Sequence, residues 1–211
     1  MPTVEQARSW YPADDPVHGF DHVQRVLAVA ERLAEASGAD LEIVRAAALL
    51  HDASGAAPGA DGQRAEHEQA SAAFARQVLQ ADGWPDERIQ QVEACIRAHR
   101  YRGSEPPVSL EAKVLFDADK LDVLGAFGIA RTLGYAQQAG QPAYHPPSAS
   151  FLAMGQLESG EPHSAYHEYL FKLRKVADLL HTDEARRMAA VRLPLLHAFF
   201  AQLAAEASGD L

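Results

Sequence analysis

His51 and Asp52 form an acid–base pair at the point where an apolar helix is predicted to end. The stretch RAAALLHDASG, residues 45–55, carries five apolar residues ahead of this pair and small, flexible residues after it. An unpaired carboxylate inside a protein costs several kcal/mol or undergoes a large pKa shift. Asp52 therefore needs a partner, which is either another side chain or a metal ion.

Further histidines and aspartates share the inward-facing stripes of the neighbouring predicted helices. Residues spaced i, i+4, i+7 and i+11 lie on one helix face, and in the first helix these positions hold His22, Val26, Val29 and Leu33. The same reasoning places a polar residue on the apolar stripe of each of four other helices, namely His51, His67, His99 and Asp119.

Taken together, these polar residues favour a bound metal ion. A single histidine on an apolar face is usually a core residue bonded to a backbone carbonyl, and that interpretation stays open for each one alone. Helices packed around one core, however, bring their inward polar residues close together, and imidazoles neutralise carboxylates poorly. A divalent cation accepts both ligand types at about 2.0–2.2 Å, and helical bundles build such sites from facing helices.

The elements that position these residues are all predicted to be helices, because no sustained alternating pattern occurs. Asp40 is a good N-cap and Gly38 a good helix terminator, whereas Pro194 should kink or break the last helix. The predicted helices cover 21–37, 41–52, 64–81, 85–98, 109–122, 126–139, 163–180 and 183–207, with loops at 53–62, 140–147 and 158–162. The expected fold is all-α, a single domain over 1–211 with a core at 18–125 and a C-terminal helical extension at 126–207.

Composition restricts the classes of function. The net charge of −10 over 211 residues argues against a nucleic-acid surface or an anionic-membrane surface. Cys95 is the only cysteine, so an internal disulfide is excluded and a reducing compartment is favoured. The N-terminal residues lack signal-peptide character, and no apolar run is long enough to predict a membrane span. We therefore expect a cytoplasmic protein.

Four sequence blocks resemble the HD-domain superfamily of metal-dependent phosphohydrolases. The order His22, His51-Asp52 and Asp119 resembles its H…HD…D signature. The blocks HGFDHVQRV, AALLHDA and KVLFDADKLDVLGAFGIAR resemble its three motifs. The C-terminal block YHEYLFKLRKVADLLHTDEARRMAAVR resembles the tail of one bacterial branch, that of YpgQ and YedJ. The resemblance implies an HD-domain helical bundle with additional C-terminal helices.

The resemblance also implies the ligands of one divalent ion, which are His22, His51, Asp52 and Asp119. Asp119 is chosen over Asp117 and Asp122 because the superfamily's ligand is the aspartate of an A-D-x-L sequence, and the apolar stripe favours the same residue. Manganese, magnesium, iron, cobalt, nickel and zinc all remain candidates for this ion, since availability governs the choice among such metals.

Two features of the implied site stay open at this stage. Some HD proteins hold two metals, and His67 and His99 lie where additional ligands would come from; the alternative is that they contact phosphate or orient a water. Many HD hydrolases also carry an acidic residue soon after the HD pair, but ASGAAPG offers none. The general base is therefore unknown, with Asp61, Glu66 and Glu68 as weak candidates.

Cationic side chains must neutralise the phosphoryl oxygens of a substrate. Lys120 directly follows a ligand and Arg25 lies one turn after His22, so both are candidate phosphate contacts. His18 is a candidate to contact the phosphate of the substrate or to hydrogen-bond to a metal ligand and orient it. Four histidines of the C-terminal half are predicted to be loop or surface residues, and these are His145, His163, His167 and His181.

The implied function is hydrolysis of a phosphoanhydride or phosphoester in a small phosphorylated substrate, above all a nucleotide, as in a nucleotide pyrophosphatase. One alternative is a non-enzymatic, metal-stabilised sensor or interaction module, which the missing acid favours. Another is a dinuclear-iron oxygenase on the same fold, which requires His67 and His99 as ligands. A purely structural bundle would leave the inward polar residues unexplained. The Ala- and Phe-rich C-terminal helix could supply the contact of a homodimer.

Overall fold

The structure is a computed structural model, and it describes residues 1–11, 19–54, 67–101, 103 and 105–210. All regular secondary structure in these ranges is helical, which confirms the predicted all-α class. The α-helices are α1 (Val4–Arg8), α2 (Phe20–Ser37), α3 (Leu41–Leu50), α4 (His67–Ala81), α5 (Asp86–Ala98), α6 (Leu110–Leu121), α7 (Gly125–Gln138), α8 (Ala149–Met154), α9 (Ala165–Phe171) and α10 (Asp183–Ser208), with a 3₁₀ helix at Leu173–Leu179.

The described chain forms two compact units. The N-terminal unit comprises Met1–Asp122 together with Leu180–Arg186, and the C-terminal unit comprises Val123–Leu179 together with Arg187–Leu211. Leu180–Arg186 belong to the N-terminal unit although they lie within the extension predicted at 126–207. That both parts form a single domain stays a prediction.

Helix α3 is the centre of the N-terminal unit. Most of its residues are buried, so it is apolar on nearly every face and must be surrounded by other helices. It contacts α2, α4, α5 and α6. The fully buried side chains here include Leu33, Leu49, Leu50, Ile96 and Leu115. Because α3 ends at this core, the pair that follows it enters the interior of the bundle.

The signals at the end of α2 and the start of α3 act as the sequence predicts. The carboxylate of Asp40 accepts hydrogen bonds from the backbone N–H groups of Glu42 and Ile43. Gly38 ends α2 in the left-handed region with φ of 77°, a conformation in which glycine has no side-chain clash. Ser109, which was not predicted as a cap, also caps α6 by accepting from the N–H of Ala112. These caps fix where the site-bearing helices start and stop.

Several predicted elements of the C-terminal half were wrong. The helix predicted over 163–180 is interrupted at Lys172, where φ is −121° and ψ is −58°. Residues Ala149–Met154 form a helix that was not predicted. Pro194 does not break the last helix, since α10 continues through it to Ser208; the alternative, a kink at Pro194, stays a prediction.

Helix α10 also bears on the expectation that no segment spans a membrane. By length and composition it is apolar enough to cross one, and 17% of its most apolar window is buried. Core helices of soluble proteins pass the same test, so this is weak evidence, and the expectation stays a prediction.

Candidate metal centre

His22 and His51 point their Nε2 atoms at each other inside the N-terminal unit, 3.3 Å apart. The Nδ1 atom of His22 lies 2.7 Å from the Oδ2 atom of Asp122. The Nδ1 atom of His51 lies 2.8 Å from the carbonyl oxygen of Ala48. A carboxylate and a carbonyl only accept hydrogen bonds, so in the neutral rings each Nδ1 carries the proton and each Nε2 presents a lone pair. Two lone pairs that face each other at this distance are placed to bind one cation.

Two carboxylates lie beside this histidine pair. The Oδ1 atom of Asp119 is 3.5 Å from the Nε2 atom of His22. The Oδ2 atom of Asp52 is 3.8 Å from the Nε2 atom of His51. The structure thus brings together the four side chains that the superfamily resemblance implies as ligands. Two imidazole nitrogens and two carboxylate oxygens are a donor set that divalent transition metals accept.

Burial and neighbouring charges hold His51 and Asp119 in the protonation states that bind metals. Burial lowers the pKa of His51 to about 4, although the negative charge of Asp52 opposes this shift. Burial raises the pKa of Asp119, but the Lys120 ammonium and the surrounding imidazoles outweigh it and bring the pKa well below its usual value. At neutral pH the imidazole is therefore neutral and the carboxylate ionised, and these are the coordinating forms.

A second histidine pair faces the other oxygen of Asp52. The Oδ1 atom of Asp52 lies 3.4 Å from the Nε2 atom of His67 and 3.5 Å from the Nε2 atom of His99. His99 places its Nδ1 atom 2.6 Å from the carbonyl oxygen of Ile96, so its Nε2 atom also presents a lone pair. The ligand atoms of Asp52, His67 and His99 lie within 4.8 Å of one another. Asp52 is therefore placed to bridge two ions, one held on each side.

The guanidinium of Arg25 contacts two carboxylates at the rim of this centre. Its Nε donates to the Oδ1 atom of Asp122 at 2.8 Å, and its Nη1 donates to Asp21 at 2.6 Å. Asp122 in turn accepts from the Nδ1 atom of His22. Arg25 therefore positions the carboxylate that orients His22. Its predicted contact with phosphate stays a prediction.

Lys120 is buried beside the centre. Its ammonium lies 2.5 Å from the Oδ2 atom of Asp119, and its Nζ is 5.2 Å from the centre of the Phe116 ring. The structure therefore places one positive charge on the outer oxygen of a candidate ligand, whose other oxygen faces His22.

Glu68 lies on the outer side of the second histidine pair. Its Oε2 atom is 3.5 Å from the Nδ1 atom of His67 and 3.2 Å from the Nη1 atom of Arg100. Burial raises the pKa of Glu68, but its own backbone N–H and Arg100 outweigh burial and lower it, which makes the carboxylate a weak base. The other predicted residues with supporting roles lie outside the described residues, and they are His18, Asp61 and Glu66.

Sequence reasoning missed two residues next to the centre. Asp122 was considered only as an alternative to Asp119, and its contact with the Nδ1 atom of His22 was not predicted. The hydroxyl of Tyr11 donates to the carbonyl oxygen of Leu49 at 2.9 Å, and burial, together with the charge of Asp52, raises its pKa well above the usual value. The three-residue spacing from Asp119 could have predicted the role of Asp122, whereas no pattern around Tyr11 indicated its burial.

Comparison with known proteins matches this arrangement to a family. The HD domain family matches residues 19–124. This range contains the six candidate ligands, here called the HD centre, which are His22, His51, Asp52, His67, His99 and Asp119. The YpgQ protein of Bacillus subtilis, itself uncharacterised, is 30% identical over 98% of this chain and 94% of its own length. The chain belongs to the HD-domain superfamily. Its resemblance to the YpgQ branch is confirmed as well.

Solved structures of relatives share this fold over nearly their whole length. The crystal structure of B. subtilis YpgQ in complex with ADP has a TM-score of 0.71 at 29% identity, covering 95% of this chain and 96% of that one. A Lactobacillus plantarum protein has a TM-score of 0.78 at 31% identity, covering 99% and 100%. An HD-superfamily hydrolase from Bacillus thuringiensis has a TM-score of 0.68 at 28% identity, covering 97% and 94%. The HD-superfamily hydrolase fold supports a metal-dependent phosphohydrolase in general terms, and HD domains bind divalent metals.

Proposed function

We propose that this protein hydrolyses a phosphoanhydride or phosphoester bond of a nucleotide, using a divalent metal centre in its N-terminal unit. The proposal rests on the facing Nε2 lone pairs of His22 and His51. The ligands are His22, His51, Asp52 and Asp119 for one ion, and Asp52, His67 and His99 for a second. Bound divalent ions would supply Lewis-acid polarisation of a phosphoryl oxygen and a water of lowered pKa.

The residues of the chain prepare this chemistry in distinct ways. Asp122 keeps the proton of His22 on Nδ1 and so leaves Nε2 available as a donor to metal, as carboxylates behind metal-binding histidines commonly do. Lys120 balances the charge of Asp119. Low exposure of the histidine rings keeps bulk water away from the ligands and strengthens each electrostatic contact.

Charge balance supports a polyphosphate as the substrate. The ligand set contains only two carboxylates, Asp52 and Asp119, and the Lys120 ammonium offsets part of their charge. Two divalent ions would therefore leave this centre with a net positive charge, although the whole chain carries −10. A phosphate chain is the ligand that such a charge attracts. The binding of ADP by the relative YpgQ supports a nucleotide.

The first test measures metal content and hydrolysis together. Wild type, Asp119→Ala and His67→Ala are purified without chelator, and metal per chain is determined. Each protein is then incubated with nucleoside triphosphates and manganese or magnesium, and released phosphate and pyrophosphate are assayed. Asp86→Asn is the control, because that side chain is 75% exposed. We expect about two ions per chain in wild type, and loss of metal and of hydrolysis in Asp119→Ala. Hydrolysis by wild type should exceed the uncatalysed rate by at least about 10⁶-fold, as is typical of enzymes.

The same experiment separates the competing functions. His67→Ala should lose one ion and keep the other if Asp52 bridges two sites. Metal binding with no phosphate released from any nucleotide would refute the hydrolase and favour a sensor or interaction module. A dinuclear-iron oxygenase is the second candidate, because the contacts of Asp52 with both histidine pairs also suit it. Redox-active iron with oxygen consumption would favour that candidate. Cytoplasmic location and a homodimer stay predictions.

A further inference from the structure

A second group of potential metal ligands lies in the C-terminal unit, separate from the HD motifs. It consists of His145 on the loop after α7, Glu161 on the loop between α8 and α9, and His167 in the first turn of α9. Their ligand atoms lie within 4.8 Å of one another. His167 was predicted to be a loop or surface residue, but its side chain is fully buried, so that prediction was wrong.

The carboxylate of Glu161 is held in place by backbone groups on both sides. Its Oε1 atom accepts from the N–H of Ser148 and its Oε2 atom from the N–H of Glu158, each at 2.7 Å. Burial raises the pKa of Glu161, but these N–H groups and the contact with His167 outweigh burial and lower it to about 2. Although its side chain is only 5% exposed, Glu161 therefore provides a permanent, fixed negative charge.

The ring of His167 is placed for a proton or a metal ion to sit between it and Glu161. Its Nε2 atom is 3.0 Å from the Oε1 atom of Glu161, and its Nδ1 atom is 2.6 Å from the Oγ atom of Ser164. The Ser164 hydroxyl can donate to Nδ1 or accept from it. The proton of the ring can therefore move to Nδ1, which leaves a lone pair on Nε2 without a change in charge.

His145 adds a donor atom beside a surface pocket. Its Nδ1 atom lies 2.9 Å from the carbonyl oxygen of Pro146, so the proton sits on Nδ1 and the lone pair on Nε2. The rings of His145 and His167 have centres 6.0 Å apart. A shallow, open surface pocket of about 270 Å³ adjoins the group and is lined by His145, Glu158 and Glu161, among others. It has room for the water that a metal ion with three protein ligands keeps.

We propose that His145, Glu161 and His167 form a zinc site distinct from the HD centre. Two imidazoles, one carboxylate and a water are a ligand set known for zinc, with ligands at about 2.0–2.2 Å from the ion. At that bond length tetrahedral ligands lie roughly 3.4 Å apart, a spacing that ligand atoms within 4.8 Å of one another reach with small side-chain adjustments. The ion would join the two loops to α9 and so stabilise the C-terminal unit.

The test counts zinc ions on the full chain. Metal-free wild type, His145→Gln and His163→Gln are titrated with zinc against a chromophoric chelator. His163 is the matched control, since its ring centre lies 6.0 Å from that of His167 but it is outside the ligand group. We expect His145→Gln to bind one equivalent fewer than wild type, and His163→Gln to bind as many as wild type. Equal zinc counts in all three proteins would overturn the proposal.

Two further measurements separate this site from the HD centre and from a folding defect. Asp119→Ala should lose zinc at the HD centre and keep the equivalent that His145→Gln lacks, so either site can fail alone. Thermal melts of metal-free wild type and His145→Gln should coincide, because His145 is partly exposed. Zinc should then raise the melting temperature less in His145→Gln than in wild type. An equal rise would contradict the site.

Discussion

Asp122→Asn tests whether the centre is built around the proton on the Nδ1 atom of His22. Asp122 accepts from His22 at 2.7 Å and from Arg25 at 2.8 and 3.1 Å, so both of its oxygens face donors. Asparagine keeps the shape but turns one oxygen into an amide donor, which must then face either the imidazole N–H or the guanidinium. His22 loses its acceptor or the negative charge behind it, and its Nε2 atom becomes a poorer ligand.

The expected loss follows from the position of Asp122 behind a ligand. Replacing such a residue typically weakens metal binding by about 10- to 100-fold, which corresponds to about 1.4–2.8 kcal/mol. The assay is a titration with Mn²⁺ in which electron paramagnetic resonance follows the free ion. Mn²⁺ is chosen because it binds nitrogen and carboxylate sites more weakly than zinc, so a change of this size is measurable.

Asp21→Asn is the matched control. Asp21 contacts the same guanidinium at 2.6 Å, but its side chain is 62% exposed and it is not the carboxylate that receives the His22 proton. Exposed ion pairs contribute about 0–1 kcal/mol, so Mn²⁺ affinity should stay within a few-fold of wild type. Unchanged affinity in Asp122→Asn, or an equal loss in Asp21→Asn, would refute the role assigned to Asp122.

Two other predictions concern stability. Asp117 is fully buried and accepts from the backbone N–H groups of His181 and Thr182, so Asp117→Ala should lower the free energy of unfolding by at least about 2 kcal/mol. The side chain of Asp183 is 87% exposed, so Asp183→Ala should change this free energy by less than about 0.5 kcal/mol. Chemical denaturation of the two variants measures both changes. In metal-free protein the pKa of His51 is lowered to about 4, so the folded state binds fewer protons than the unfolded state between pH 6.5 and 4. Its contribution of about 3 kcal/mol to the free energy of unfolding is therefore present above pH 6.5 and is lost as the pH falls toward 4. Chemical denaturation at a series of pH values measures this dependence. If the free energy of unfolding fell with pH as steeply in His51→Gln as in wild type, the assignment to His51 would be contradicted.

The parts of the fold that sequence reasoning predicted well are those determined by local signals. Asp40 caps its helix through backbone N–H groups two and three residues away, and Gly38 adopts the left-handed conformation that few other residues tolerate. Such interactions depend only on a few neighbouring residues. Apolar periodicity likewise placed five of the six HD-centre residues on inward faces, because helix geometry fixes which residues share a side; Asp52 follows from its position next to His51.

The errors arose where distant contacts or solvent decide the outcome. Pro194 removes one hydrogen bond to the carbonyl of Ala190, yet α10 continues, because Ala190 and Val191 are exposed and water can solvate the freed group. His167 looked like a surface residue, since no apolar stripe surrounds it. Its burial comes from Phe151, whose ring centre is 4.4 Å away, a contact made by the unpredicted helix α8.

The aspartates of α6 show most clearly what a sequence pattern leaves undetermined. In FDADKLD three carboxylates, those of Asp117, Asp119 and Asp122, occur within six residues, and each has a different role. Asp117 and Asp119 differ by about 200° around the helix, so Asp117 faces away from the centre and accepts hydrogen bonds from residues 181 and 182. Asp119 and Asp122 are three residues apart and share a face.

That spacing lets one helix hold both nitrogens of a single imidazole from another helix. The Oδ1 atom of Asp119 lies 3.5 Å from the Nε2 atom of His22, while the Oδ2 atom of Asp122 lies 2.7 Å from its Nδ1 atom. The shorter contact is a hydrogen bond that fixes the proton, and the longer one leaves room for an ion. A carboxylate three residues after a metal-binding aspartate on a helix is therefore a sequence signal for the residue that orients the facing histidine, and it could be sought before a structure exists.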